Sequence, residues 1–276
     1  MPINPKPRNP KPKTPKPETE PETMPRLFKK PNSKLRKLEE TLTKHFRRRI
    51  RVYSFGTLSG HTCHGAKDCL AWVQYRKETD DYKLEDGPDA TFRCFAASAE
   101  AVYSAAYNHR LDNMEFVRNS KSATHLALAL AEDLPENADY VRIHDAGDID
   151  SDKEFRAWLY LAEWYPDVVF YGYTKMLPLW VKYKNQLPEN MVLTASRGGR
   201  FDSLISKHSL REAVVVFDES EASDLGLKLD QDDSSAARRD LRNQSFALLI
   251  HGQGAPGSRQ AKIMSQKKTR VELVIS

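Results

Sequence analysis

Residues 140–174 read YVRIHDAGDIDSDKEFRAWLYLAEWYPDVVFYGYT, and this stretch decides the fold. It opens on a short apolar run, YVRI, and turns at Ala146-Gly147 within HDAGD. Ser151 followed by Glu154 is a capping-box pattern that starts a helix over DKEFRAWLYLAEWY. Phe155, Trp158, Leu159, Ala162 and Tyr165 then share one helical face, and Pro166 stops the helix. VVFYGYT follows as a second strand. Strand, helix and strand, with both strands nearly continuous in apolar residues, is the unit of a parallel sheet covered by helices.

Working outward, the same alternation recurs. Upstream, RIRVYSF is β-rich and ends at Gly56, while Ser33–Phe46 carries Leu35, Leu38 and Leu42 at helical spacing. Ala96–Val117 lacks Gly and Pro and predicts one long helix; Ala123–Leu134 predicts another, ended by Pro135. Downstream come the strands MVLTAS, AVVVFDE and FALLIHG, with helices at Leu179–Asn185, Asp202–His208 and Ser258–Lys268, and a charged irregular stretch over 219–242. About six such units and no GxGxxG fingerprint predict a partial (β/α) barrel of mainly parallel strands.

Composition sets the bounds. Of the 276 residues 39% are hydrophobic, diluted by a Pro/Lys tract over residues 1–32 that predicts a disordered tail before a single α/β domain at 33–276. The net charge of +5 is concentrated in that tail and in Arg47, Arg48, Arg49 and Arg51. It permits contact with nucleic acid through the tail, Arg47–Arg49 and Arg238/Arg239 without demanding it. No apolar segment reaches the roughly 20 residues of a membrane span, and the N-terminus lacks the apolar core of a signal peptide. Free cysteines in such a chain point to a reducing cytoplasm.

The chemistry sits in two features. The first is the set of cysteines: Cys63 and Cys69 in GHTCHGAKDC and Cys94 in FRCFAAS, the last just before a helix whose N-terminus favours a thiolate. Three thiols without a fourth suit a 4Fe-4S cluster with one open iron, or zinc completed by His61, His64 or His109. The second is the set of strand ends, which in a barrel of this kind build the active site. They read His144-Asp145-Ala146-Gly147-Asp148, Tyr173-Thr174-Lys175, Ser196-Arg197 and His251-Gly252. Polar groups at nearly every strand end predict a shared pocket. His144, Asp145 and Asp148 are also candidate ligands for the divalent ion of a hydrolase or nuclease. Without catalysis, a zinc-stabilised module that binds nucleic acid or a partner is the remaining alternative.

CHGAKDC, FRCFAAS, VRIHDAGDIDS, FYGYTK and HGQGAPGSRQA together resemble the phage-associated gene product 88 family over roughly Val52–Lys268, a family name that specifies no reaction. A looser likeness is to radical S-adenosylmethionine enzymes, which hold a 4Fe-4S cluster on three cysteines after the first strand of a partial barrel. This chain departs from their usual CxxxCxxC spacing. That likeness implies that Cys63, Cys69 and Cys94 hold the cluster and that Gly147 and Asp148 meet the amino group of S-adenosylmethionine. Thr174, Lys175, Ser196 and Arg197 would then bind its carboxylate, its ribose or the substrate.

Overall fold

The computed structural model describes residues 26–266. After α1 (Ser33–Phe46) and β1 (Val52–Ser54), a hairpin of β2 (Ala71–Arg76) and β3 (Asp81–Asp86) interrupts the alternation. Three helices follow, α2 (Phe95–Val102), α3 (Ser104–Asn119) and α4 (Ala123–Asp133), and then β4 (Tyr140–Ile143). The chain then alternates through α5 (Asp152–Trp164), β5 (Val169–Thr174), α6 (Leu177–Tyr183), β6 (Met191–Ser196), α7 (Ser203–His208) and β7 (Glu212–Val216). It continues with α8 (Glu219–Asp224), β8 (Lys228–Leu229), α9 (Ser234–Ala237) and β9 (Phe246–Leu249), and residues 259–266 are again helical.

Seven strands form one parallel sheet in the order β1-β4-β5-β6-β7-β9-β8. From β1 to β7 every new strand of the sheet is laid beside the previous one, always in the same direction. Both faces are covered, which is why the strands lack a polar alternation. One face, with Val141, Ile143, Phe170, Leu193 and Ala195, packs against Leu126, Leu130, Phe155, Trp158 and Trp180 from α4, α5 and α6. The other, with Tyr140, Val169, Tyr171, Val192 and Phe246, receives Leu35, Leu38 and Leu42 of α1 and Ala236 and Ala237 of α9. Because the strands run parallel, their C-terminal ends share one edge of the sheet: Ser54, Ile143, Thr174 and Ser196. Among the described residues no helix is long and apolar enough to cross a membrane.

Two expectations change, and one segment without a prediction acquires a structure. The tail boundary at residue 32 is too late, because Leu27 and Phe28 are buried in the core. Their N–H groups donate to the Asp133 carboxylate at 2.7 and 2.9 Å, and Lys29 bridges to Ser54. An adjacent apolar pair outweighs the polar company around it. Residues 1–25, the rest of the expected tail, lie outside the described residues. The spacer between Cys69 and Cys94 is the β2–β3 hairpin, turned with Asp80 at φ 52°. The long helix splits at Tyr103 (φ −115°, ψ 94°), where a β-branched and an aromatic residue, both weaker helix formers, follow one another.

Phe28 stacks edge-on against both Phe55 and Trp158, at 6.2 and 6.3 Å between ring centres, so it ties the N-terminal segment to the core. Phe28→Ala is expected to cost about 3–5 kcal/mol, read as a lower urea midpoint with an unchanged m-value; an unchanged midpoint would show that the segment docks without contributing stability.

Candidate functional site

The site grows from the turn after β4. His144 (φ 56°) and Gly147 (φ 75°) both adopt the left-handed conformation. Gly147 has no alternative: a Cβ there would lie 2.1 Å from Thr57 Oγ1 and 2.6 Å from Thr62 Oγ1. His144 is buried, its Nε2 2.8 Å from Glu154 Oε1 and its Nδ1 3.3 Å from Thr57 Oγ1 and from the Ala146 carbonyl. Burial opposes protonation of this ring, but the Glu154 carboxylate and its hydrogen bond win, and the pKa lies above the ordinary histidine value. The second Glu154 oxygen accepts from Asp150 N at 2.8 Å, while Ser151 Oγ accepts from Glu154 N at 3.2 Å. The capping pair read in the sequence therefore also fixes the histidine.

The turn delivers Asp148 to the end of β5. Its carboxylate accepts Thr174 Oγ1 at 2.7 Å, Lys175 N at 2.7 Å and Ile149 N at 2.8 Å. Burial still raises its pKa above the usual carboxylate value, with those donors pulling the other way. Lys175 is buried too, its Nζ donating to Ser196 O (2.8 Å), Ser196 Oγ (3.0 Å) and Arg197 O (2.7 Å).

The cysteine loop lies across these strand ends. Thr62 Oγ1 accepts from Asp148 N at 3.1 Å, and Gly65 is pressed so closely on Lys175 that a Cβ would fall 2.3 Å from its carbonyl oxygen. Ala66 bridges to Gly199, and Asp68 N donates to Gly198 O at 2.9 Å. The segment carrying Cys94 is sewn to the same loop, because Thr91 N and Phe92 N both donate to Asp68 O. Arg93 holds Asp86 at the end of β3 through its side chain, and Gln260 through its backbone N–H. Hence the hairpin returns Cys94 to the place where Cys69 left.

All three thiols are free and half-buried. Burial pushes the Cys63 pKa well up, and Asp148, Cys94 and Cys69 push it further, opposed by the Gly60 N–H that donates to Cys63 Sγ at 3.3 Å. Cys69 is raised to about 11 by burial; the Lys175 ammonium holds it down, while Cys94, Asp148 and Asp68 push it up. Cys63 and Cys69 thus lie within electrostatic reach of Cys94 and of Asp148. Among the described residues, however, no group of three or more His, Cys, Asp or Glu side chains is arranged to hold a metal ion.

The other expected residues divide. Gly147, Asp148, Thr174, Lys175 and Ser196 belong to the cluster of contacts just described. Arg197 lends only its carbonyl, since its guanidinium is paired with Glu212. His251 lies away from Asp148, its ring 4.8 Å from that of Phe95, the residue after Cys94. His144, Asp145 and Asp148 do not converge on an ion: the first faces Glu154, the second Ser54 and Arg110, the third Thr174. Two of the three candidate zinc histidines are bonded elsewhere, His61 Nε2 to Val73 O at 2.9 Å and His64 Nε2 to Asp150 Oδ1 at 2.5 Å. His109 is lowered to about 4 by burial and by Lys29. Residues without a predicted role are Thr57, which helps orient the turn, and Glu100, which accepts from Ser59 and Arg110; the bond of Glu154 to His144 adds to its role in the capping box. A threonine shortly after a strand and a lone acid in an Ala-rich helix were the available signals.

The gene product 88 family model matches residues 26–270. The chain belongs to the gene product 88 family. The match begins where the described fold begins, and it takes in all three cysteines and the HDAGD turn. No curated protein and no solved structure matches the chain.

With thiol pKa values raised by burial, Cys63 and Cys69 are expected to alkylate slowly at neutral pH in metal-free protein. The Cys69 rate should climb about tenfold per pH unit up to its pKa, since only the thiolate reacts. Lys175→Met removes the one cation that favours the thiolate, so it should slow Cys69 further; mass-resolved iodoacetamide labelling reads both effects.

Proposed function

We propose that this protein is an iron–sulfur enzyme of the radical S-adenosylmethionine kind, with a 4Fe-4S cluster held by Cys63, Cys69 and Cys94. The observation that carries the reading is the packing of the loop bearing Cys63 and Cys69, with the segment leading into Cys94 bound to it, over the C-terminal ends of β4, β5 and β6. A sheet that adds its strands in one direction, β1 to β4 to β5 to β6 to β7, supports the reading of a partial barrel, in which chemistry sits at that edge. Soft thiolate donors without a committed fourth side chain favour an iron–sulfur cluster over zinc, given that His61 and His64 are bonded elsewhere.

When bound, such a cluster supplies an electron at low potential to a sulfonium ligand on its open iron. The protein's part is positioning. Asp148, with lone pairs beyond its three hydrogen bonds, would receive the ligand's amino group, and the Gly147 backbone lies beside it with no side chain in the way. Ser196 and Thr174 offer hydroxyl oxygens on neighbouring strands, while Lys175 contributes a fixed positive charge. Free thiols of this kind fit a reducing cytoplasm.

Anaerobic purification is expected to give brown protein with about four irons and as much sulfide per chain. Each single Cys→Ser variant should lose most of that iron, and added S-adenosylmethionine should change the electron paramagnetic resonance spectrum of the reduced cluster. Colourless protein that takes up no iron after anaerobic reconstitution would reject the reading, and iron uptake with an unchanged spectrum would reject the S-adenosylmethionine part alone.

A further inference from the structure

The opposite edge of the sheet, where the strands begin, has a different character. The chain leaves α1 through Arg47, whose left-handed backbone (φ 52°) turns Arg48–Arg51 across the start of β1. There a shallow open groove of about 430 Å³ is lined by Arg48, Arg49, Arg51, Glu136, Asn137 and Asp139. The groove is held in shape from beneath. Asp139 accepts Arg51 N at 2.8 Å and Arg48 Nη1 at 2.7 Å, and Tyr53 Oη donates to Asn137 Oδ1 at 2.8 Å.

A second basic run arrives from far along the chain. Arg242 donates to the Met191 carbonyl, at the start of β6, at 3.2 Å. Arg239 and Arg48 both lie near the Tyr140 hydroxyl, whose pKa, raised by burial, they draw back down. Asp240, lowered chiefly by its Arg238 hydrogen bonds, also feels His45. α1 and α9, which lead directly into the two runs, pack in one apolar cluster, so residues 45–51 and 238–242 leave it side by side. Arg47, Arg49, Arg51 and Arg239 make no ion pair among the described residues, and all but the half-buried Arg51 are exposed. Unpaired arginines collected from two segments cost the fold self-repulsion and return nothing to its core, so their use lies with an anion outside it.

We propose that this edge is a docking surface for nucleic acid, gripped through its phosphate backbone, at the end of the sheet opposite the cysteines. Every cation lining the groove is an arginine, whose planar fork takes two phosphate oxygens at once. Two runs side by side offer a track longer than one phosphate. A lipid surface is the poorer fit, since among the described residues the only exposed large apolar one next to either run is Phe46, against the apolar face a membrane-bound segment presents. That ring, paired edge-on with His45 at 4.7 Å, offers instead a face on which a base can stack.

The test is fluorescence anisotropy of the full chain with a labelled DNA duplex and a labelled single strand, across a salt series. Wild type is compared with the double variant Arg49→Glu/Arg239→Glu and with Lys77→Glu, an exposed charge in the β2–β3 turn. The expected result is binding that weakens steeply with salt, at least about tenfold weaker in the double variant, with a salt slope smaller by about two. Both exchanged arginines are exposed and unpaired, so thermal melting should match wild type. Equal affinity in the double variant and in Lys77→Glu would overturn the proposal, as would absence of binding at 50 mM salt. Binding confined to phosphatidylserine vesicles would overturn it in favour of a membrane surface.

Discussion

The Asp148 carboxylate is the joint on which the upper edge of the sheet depends. It reaches from the turn after β4 to the hydroxyl of Thr174 and the backbone of Lys175 at the end of β5. A buried carboxylate is costly unless its lone pairs are filled, and here three donors fill most of them. Several features exist to present it. Gly147 lets the turn pass between Thr57 and Thr62, and His144, locked on Glu154, keeps the turn from relaxing. The Asp148 N–H holds Thr62, one residue before Cys63. Removal of any of these loosens the seat of the first thiol as well as the carboxylate.

Much of the fold was legible because the chain is simple where the sheet is simple. The capping box at Ser151 and Glu154, the apolar face from Phe155 to Tyr165 and the strand YGYT all survive as α5 and β5. What escaped was structure whose stabilisation is tertiary. β2 and β3 leave most of their residues partly or wholly exposed, so their sequence lacks the alternation that marks a half-buried strand. Leu27 and Phe28 looked like part of a proline-rich tract, and only the core they enter gives them a role. The strand-end residues were legible as a set, but their directions were not. Arg197 turns outward to Glu212, and His144 turns back into α5, because partners on neighbouring strands and helices decide which side of a strand end a side chain serves.

Positive charge is used in two different ways at the two edges. Lys175 is buried and its three donors are consumed by oxygens of Ser196 and Arg197. Its charge therefore acts as a fixed local field on the thiols, with little capacity left to grip a ligand. At the other edge Arg47, Arg49 and Arg239 are exposed and make no ion pair among the described residues, which leaves their donors free for whatever arrives. One arrangement tunes the groups inside the protein and the other addresses something outside it.

The β2–β3 hairpin has a consequence for how the thiols meet. Cys63 and Cys69 are close in the chain in any state, but Cys94 rejoins them only once the hairpin has folded and Asp68 has taken the N–H groups of Thr91 and Phe92. The complete set of three sulfurs is thus a product of tertiary folding, absent from the extended chain. Anything that engages all three recognises the finished domain alone, and by mass action its binding energy adds to the stability of that domain.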